Sequence, residues 1–216
     1  MIAAIVLAAG MSTRMGRLKQ LLPLGERLVI QVVVGTVLEC LDWVHVVVGH
    51  RAEDVVAALR DYPALIVRNP DHLLGMTSSI KAGVAASRGA DAFLLCLGDQ
   101  PAIKGETVEQ VFAAGEKSDK GLIIPTSGGD RGHPILIQEK YAPEILSMSP
   151  SSPFNTFTRR HAEDTLELDV ANPRILDDMD TPVDYERELA YHQFGSRTQA
   201  GSESRTGSQN RTGSQR

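Results

Sequence analysis

Residues 2–25 read IAAIVLAAGMSTRMGRLKQLLPLG. An apolar run ends at a glycine, and a polar, basic, glycine-containing loop follows it. The near-continuous hydrophobicity of Ala3 to Leu7 suits a strand covered on both faces of a sheet. The loop then falls beyond the strand's carboxyl end, where open α/β sheets bind their ligands. Gly10 and Gly16 permit tight turning and close approach of the backbone to an anion. Ser12 and Thr13 add hydroxyls. Arg14 and Lys19 add two cations, which make short charge-assisted hydrogen bonds to phosphate. We therefore expect the stretch from Leu7, Ala8 and Ala9 to Lys19 to hold a nucleotide's phosphates. The spacing is neither that of a Walker loop nor of the dinucleotide fingerprint G-x-G-x-x-G. The bland alternative is a strand–loop–helix turn with a solvated Arg and Lys.

Outward from this loop, short apolar runs recur. Val44 to Val48, Leu65 to Val67, Phe93 to Leu97 and Leu122 to Ile124 read as strands. Leu28 to Leu41, Ala52 to Leu59, Met76 to Ser87 and Thr107 to Glu116 read as helices between them. This alternation predicts an α/β fold with a mostly parallel sheet. Beyond Gly132 the alternation weakens. His133 to Ile137 reads as a strand, Glu139 to Ser147 and Asn155 to Ala162 as short helices, Thr165 to Val170 as a strand, and Pro182 to Gln193 as a closing helix. Residues 1–194 are expected to form one domain. Residues 195–216 repeat a unit like Arg-Thr-Gly-Ser-Gln with one aliphatic side chain, Ala200, and are expected to be a disordered tail.

The formal net charge of −5 argues against backbone-driven nucleic-acid binding but leaves room for a local basic pocket. Cys40 and Cys96 lie in apolar segments and read as buried, reduced thiols of a cytoplasmic protein. The first apolar run has no basic leader and is too short to span a bilayer, so no membrane attachment is expected.

Two acidic positions complete the chemistry. Asp99 follows the run Phe93 to Leu97 by one glycine, at the carboxyl edge of the sheet. A hard cation such as Mg²⁺ takes one or two carboxylates together with phosphate oxygens. Asp177, Asp178 and Asp180 form an acidic cluster in which Asp178 and Asp180 point the same way if extended. Asp180-Thr181 before Pro182 also reads as a helix start, and Asp184 as a favourable first-turn charge. Gly49 and His50 follow the second strand, either lining a base pocket or serving as surface loop residues, and Asn69 and Ser79 follow the third, where a loop enters an N-capped helix. No other histidine pairs with His133 at metal-ligand spacing, so zinc is not indicated.

The first loop resembles the signature L-A-A-G-x-S-x-R-M-G-x-x-K of GT-A-type nucleotidyltransferases, and within them the molybdenum-cofactor cytidylyltransferase group. The resemblance continues through NPDHLLGMTSSI (69–80), LGDQP (97–101), RGHP (131–134) and LDDMDTPVDYE (176–186). It implies a three-layer α/β/α fold with a mostly parallel, Rossmann-like mixed sheet of the nucleotide-diphospho-sugar transferase type. It implies Mg²⁺ on Asp99 and Asp180, catalytic roles for Arg14, Lys19 and Asp99, and base or ribose contacts near Asn69 and Ser79. It places His133 near the acceptor, where a structural role in the turn is the alternative. The donor implied is CTP, favoured by Ala8-Ala9 where other members have Ala-Gly-Gly. The acceptor implied is molybdopterin, and the implied protein partner is a molybdenum hydroxylase apo-enzyme. The sequence departs from many members at 150–164, PSSPFNTFTRRHAED, where they carry Gly-Asp-x-Gly-Ala-Arg. A sugar phosphate or another phosphorylated acceptor, a non-catalytic cofactor carrier and a glycosyltransferase of similar fold stay open at this point.

Overall fold

Strand β1 (Ile2–Ala8) is buried from Ala3 onward, as a continuous apolar strand must be when helices cover both its faces. Its alternating side chains divide the core. Ala4, Val6 and Ala8 face one layer, and Ala3, Ile5 and Leu7 face the other. The computed structural model describes residues 1–193, so the tail expected at 195–216 lies outside the described residues.

After β1 the chain forms a small hairpin, β2 (Pro23–Leu24) and β3 (Arg27–Leu28), and then α1 (Val29–Cys40), β4 (Val44–Val48), α2 (Ala52–Ala58) and β5 (Leu65–Arg68). Next come α3 (Met76–Ala86), β6 (Ala92–Leu97), α4 (Gly105–Lys117), β7 (Leu122–Ser127), β8 (Asp130–Arg131) and β9 (Ile135–Gln138). The chain continues through α5 (Ala142–Ser147), α6 (Asn155–Arg160) and β10 (Thr165–Asp169) to a last helix, α7, at 182–193. The main sheet runs in the order β10-β7-β9-β6-β1-β4-β5, with β8 on β7. Helices α1, α2 and α4 cover one face, and α3, α5 and α6 the other. The result is the mixed, mostly parallel α/β/α sandwich expected.

Besides the short β8, antiparallel to β7, strand β9 departs from parallel pairing, lying antiparallel to both β6 and β7. The physical reason is the length of its connection. A parallel return needs a crossover of a dozen or more residues, and only residues 128–134, including the short β8 ribbon, separate β7 from β9. The helix expected over Glu139 to Ser147 is split into a single 3₁₀ turn (Glu139–Tyr141) and α5. The β2–β3 hairpin had no counterpart in the sequence reading.

That hairpin shapes the site. Leu22, Leu24, Val29 and Val32 form a small separate core that receives Met179, which is 1% exposed. Burying Met179 on one side turns its two neighbours, Asp178 and Asp180, to the other. The Tyr185 hydroxyl donates to the Pro23 carbonyl at 2.6 Å and ties α7 to the same hairpin.

Candidate active site

The carboxyl ends of β1 and β6 meet the segment before α7 in a cleft of about 420 Å³. Gly98 allows the approach. Its N–H donates to the Leu7 carbonyl at 2.9 Å, and a Cβ on it would lie 2.7 Å from that same oxygen. A larger residue there would push Asp99 away from the first loop.

The loop after β1 is built on two short turns. Ser12 at φ 52° and Gly16 at φ 63° flank the 3₁₀ turn Thr13–Met15, and Lys19 opens a second, Lys19–Leu21. The Lys19 N–H donates to Ser12 Oγ at 3.1 Å, and that hydroxyl donates to Gln20 Oε1 at 3.4 Å. Ser12 thus fixes the backbone from which the Lys19 side chain projects.

Three separate segments converge on that side chain. Lys19 Nζ pairs with Asp99 Oδ2 and, at 2.9 Å, with Asp180 Oδ1. Arg14 pairs with the second Asp180 oxygen at 2.6 Å. Burial works against the Lys19 charge, but the two carboxylates outweigh it and hold its pKa above the ordinary lysine value. Burial raises the Asp99 pKa, the nearby Asp178 charge adds to the rise, and Lys19 opposes it. The hydrogen bond from Lys19 leads in holding Asp180 below the usual carboxylate range, with Arg14 contributing. Both partners of the Lys19–Asp99 pair are therefore shifted upward. We assign the charged pair, because Asp180 stabilises the ammonium independently.

Leu7, Ala9, Gly10, Arg14, Lys19, Ser79, Asp99 and Asp180 all border this cleft, joined by Asp178. Gly10 is not left-handed, unlike Gly16 at φ 63°, and a Cβ on it would enter open space. Several expected contacts fall elsewhere. Ala8 faces the α1 side of the core. A Cβ on Gly49 would meet His72 Cβ at 2.5 Å, so Gly49 packs beneath His72, and His72 is the residue that borders the cleft. Asn69 is buried. Its amide donates to Ser78 Oγ at 2.8 Å and Ser79 Oγ at 3.0 Å, and its Oδ1 accepts the Asp71 N–H at 3.0 Å. It pins the start of α3 and is fully engaged in doing so.

His133 does not border the cleft. Burial pushes its pKa down to about 4, against an upward pull from Asp178. It is neutral at neutral pH, and its backbone N–H donates to the Ile175 carbonyl at 3.4 Å, which fits the structural alternative given for it. Thr181 and Asp184 form a capping box for α7. Asp184 Oδ2 accepts the Thr181 N–H at 2.8 Å and hydroxyl at 2.7 Å, and the Asp184 N–H returns to Thr181 Oγ1 at 3.3 Å. The cap leaves the Asp180 carboxylate free for the cations.

Gln100 and Asp178 had been given no role. Gln100 is buried and donates to Asp178 Oδ1 at 2.8 Å, which fixes that carboxylate at the cleft wall. The sequence signal was the Asp178–Asp180 spacing together with the Gln that follows Asp99. The divergent segment at 150–164 straps onto α3, where Thr77 Oγ1 donates to the Ser152 carbonyl at 2.5 Å. Among the described residues no helix is long and apolar enough to cross a membrane.

With this geometry in view, residues 4–165 match the family model described as the MobA-like NTP transferase domain. The chain belongs to the MobA-like NTP transferase family. As a member of it, the chain is a nucleotidyltransferase. It is 27% identical over 188 residues to the molybdenum cofactor cytidylyltransferase of Escherichia coli (strain K12), covering 85% of this chain and 93% of that protein. It is 30% identical over 194 residues to the nicotine blue oxidoreductase of Paenarthrobacter nicotinovorans, covering 83% and 92%. A solved nucleotidyl transferase from Methanothermobacter superposes with a TM-score of 0.79 at 26% identity, covering 90% of this chain and 99% of that one. Relatives of such different names on one fold leave the substrates of this MobA-like NTP transferase to be argued from its site.

Proposed function

We propose that the protein transfers CMP from CTP to a phosphorylated acceptor, molybdopterin or its molybdenum-loaded form, and releases pyrophosphate. The observation that carries this reading is the junction of Lys19 with Asp99 and Asp180 at the end of β1. The donor set fits a hard divalent cation: two carboxylates face one point, and a cation of the protein's own already stands there. Mg²⁺ held by Asp99 and Asp180 would supply Lewis-acid neutralisation of the α-phosphate and acceptor oxygens. The first loop orients the triphosphate through its backbone and Lys19. Arg14 and Lys19 offset the charge that develops on the α-phosphate and the departing pyrophosphate. A phosphate acceptor is already ionised at neutral pH, so no side chain has to remove a proton.

The segment at 150–164 favours a second reading of the acceptor. It lies against α3, two residues of which, Met76 and Ser79, border the cleft, and it differs from the family's usual loop. A different phosphorylated small molecule, such as a sugar phosphate, would keep the donor half unchanged.

Isothermal titration with CTP, GTP, ATP and UTP, with and without Mg²⁺, tests the donor. We expect CTP to bind tightest and to need Mg²⁺. Preference for another triphosphate moves the substrate and keeps the chemistry. No binding of any triphosphate, even with acceptor present, contradicts the reading.

A further inference from the structure

The cleft holds an inner and an outer cation. Arg14 is 71% exposed and reaches only the outer oxygen of Asp180. Lys19 is 13% exposed and lies between Asp99 and the inner oxygen of Asp180. Among the described residues, only Lys19 pairs with both of those carboxylates. We propose that Lys19 is the resident counter-ion of the Asp99–Asp180 pair, and that its ammonium must vacate this position before a divalent cation can take it. This inference rests on the nucleotidyl-transfer reading above.

The physical basis is occupancy. An ammonium and a divalent cation cannot both touch the same two carboxylates, because like charges at contact distance in a half-buried cleft repel strongly. A displaced ammonium without an anion is costly in a site shielded from water. The hydrogen bond from the Lys19 N–H to Ser12 Oγ holds its backbone, so the side chain alone has to swing. The nearest new anion is the triphosphate that arrives in the loop. Gly10 leaves open space beside it, where any side chain would intrude. One exchange therefore seats the divalent cation on the carboxylates and moves the ammonium onto phosphate. The consequence is cooperativity: cation alone binds poorly, triphosphate and cation bind well together, and the protein does not hold a divalent cation idle between turnovers.

Manganese binding followed by electron paramagnetic resonance tests this on the full chain, at one pH, with and without CTP. Manganese–CTP complex formed in solution is subtracted. Without nucleotide, Lys19→Met is expected to bind Mn²⁺ at least about tenfold more tightly than wild type, since a like charge has been removed from contact range. Lys19→Arg, which keeps the charge, stays close to wild type. CTP tightens Mn²⁺ binding by wild type far more than by Lys19→Met. Unchanged or weaker Mn²⁺ binding by Lys19→Met overturns the proposal, and so does the absence of CTP cooperativity in the wild-type protein, which needs no variant to fold. Wild type that takes up no Mn²⁺ even with CTP removes the metal-dependent reading itself.

Discussion

Asp99→Ala is expected to lower the rate of nucleotidyl transfer by roughly a hundredfold to a thousandfold, the usual loss when a preorganised electrostatic group is removed. Asp99 stands one residue past Gly98, whose close contact with Leu7 sets the carboxylate against the first loop. No neighbour can replace it. Asp180 is already shared by Lys19 and Arg14, and Asp178 is fixed by Gln100. The shape-conserving Asp99→Asn should lose nearly as much, because an amide keeps the packing but not the charge. Steady-state pyrophosphate release, with circular dichroism to confirm the fold, measures both. Near-wild-type turnover by both variants would contradict the assignment.

Lys19→Ala is the second large loss, again roughly a hundredfold or more in rate. Its cause differs. Asp99 acts from the sheet edge, whereas Lys19 acts on the phosphates and supplies charge where charge develops. Transition-state stabilisation lost here lowers kcat as well as kcat/KM, whereas loss of simple ground-state binding would raise KM alone. The same change is expected to improve Mn²⁺ binding without nucleotide. Lower turnover with tighter Mn²⁺ binding separates a displaced counter-ion from a collapsed site. Arg14 is more exposed and touches only Asp180, so it does not compensate.

The strands and most helices were legible because their signals are local. Ala3 to Leu7 and Val44 to Val48 are apolar runs whose burial on both faces requires a covered sheet, and both are strands. The antiparallel insertion of β9 was not legible, because pairing direction depends on the length of a connection broken by the small β8 ribbon. The β2–β3 hairpin was missed for a similar reason: two-residue strands carry no periodicity. Its importance is indirect, since it buries Met179 and thereby turns Asp178 and Asp180 into the cleft.

Within the site, the sequence distinguished residue types better than it distinguished jobs. The structure brings Arg14, Lys19, Asp99 and Asp180, the residues that the resemblance implied for one site, into ion-pairing contact. Gly49, Asn69 and Ala8 sit near it and are occupied with packing or hydrogen bonding. Position after a strand says that a residue is close to the crevice; it does not say which way the side chain turns. Gln100 was adjacent to Asp99 in sequence, but its job was hidden for the complementary reason. Its partner Asp178 is far away in sequence, and only the folded chain brings them within hydrogen-bonding distance.

Label transfer provides a direct test of nucleotidyl transfer from CTP to a phosphorylated acceptor. The protein is incubated with Mg²⁺, molybdopterin and CTP carrying radioactive phosphorus at the α position. The expected result is label in the pterin product and an equal amount of unlabelled pyrophosphate, with neither formed when acceptor is omitted. Label that stays in CTP or appears only as free CMP, with every candidate acceptor from pterin to sugar phosphate, would contradict it.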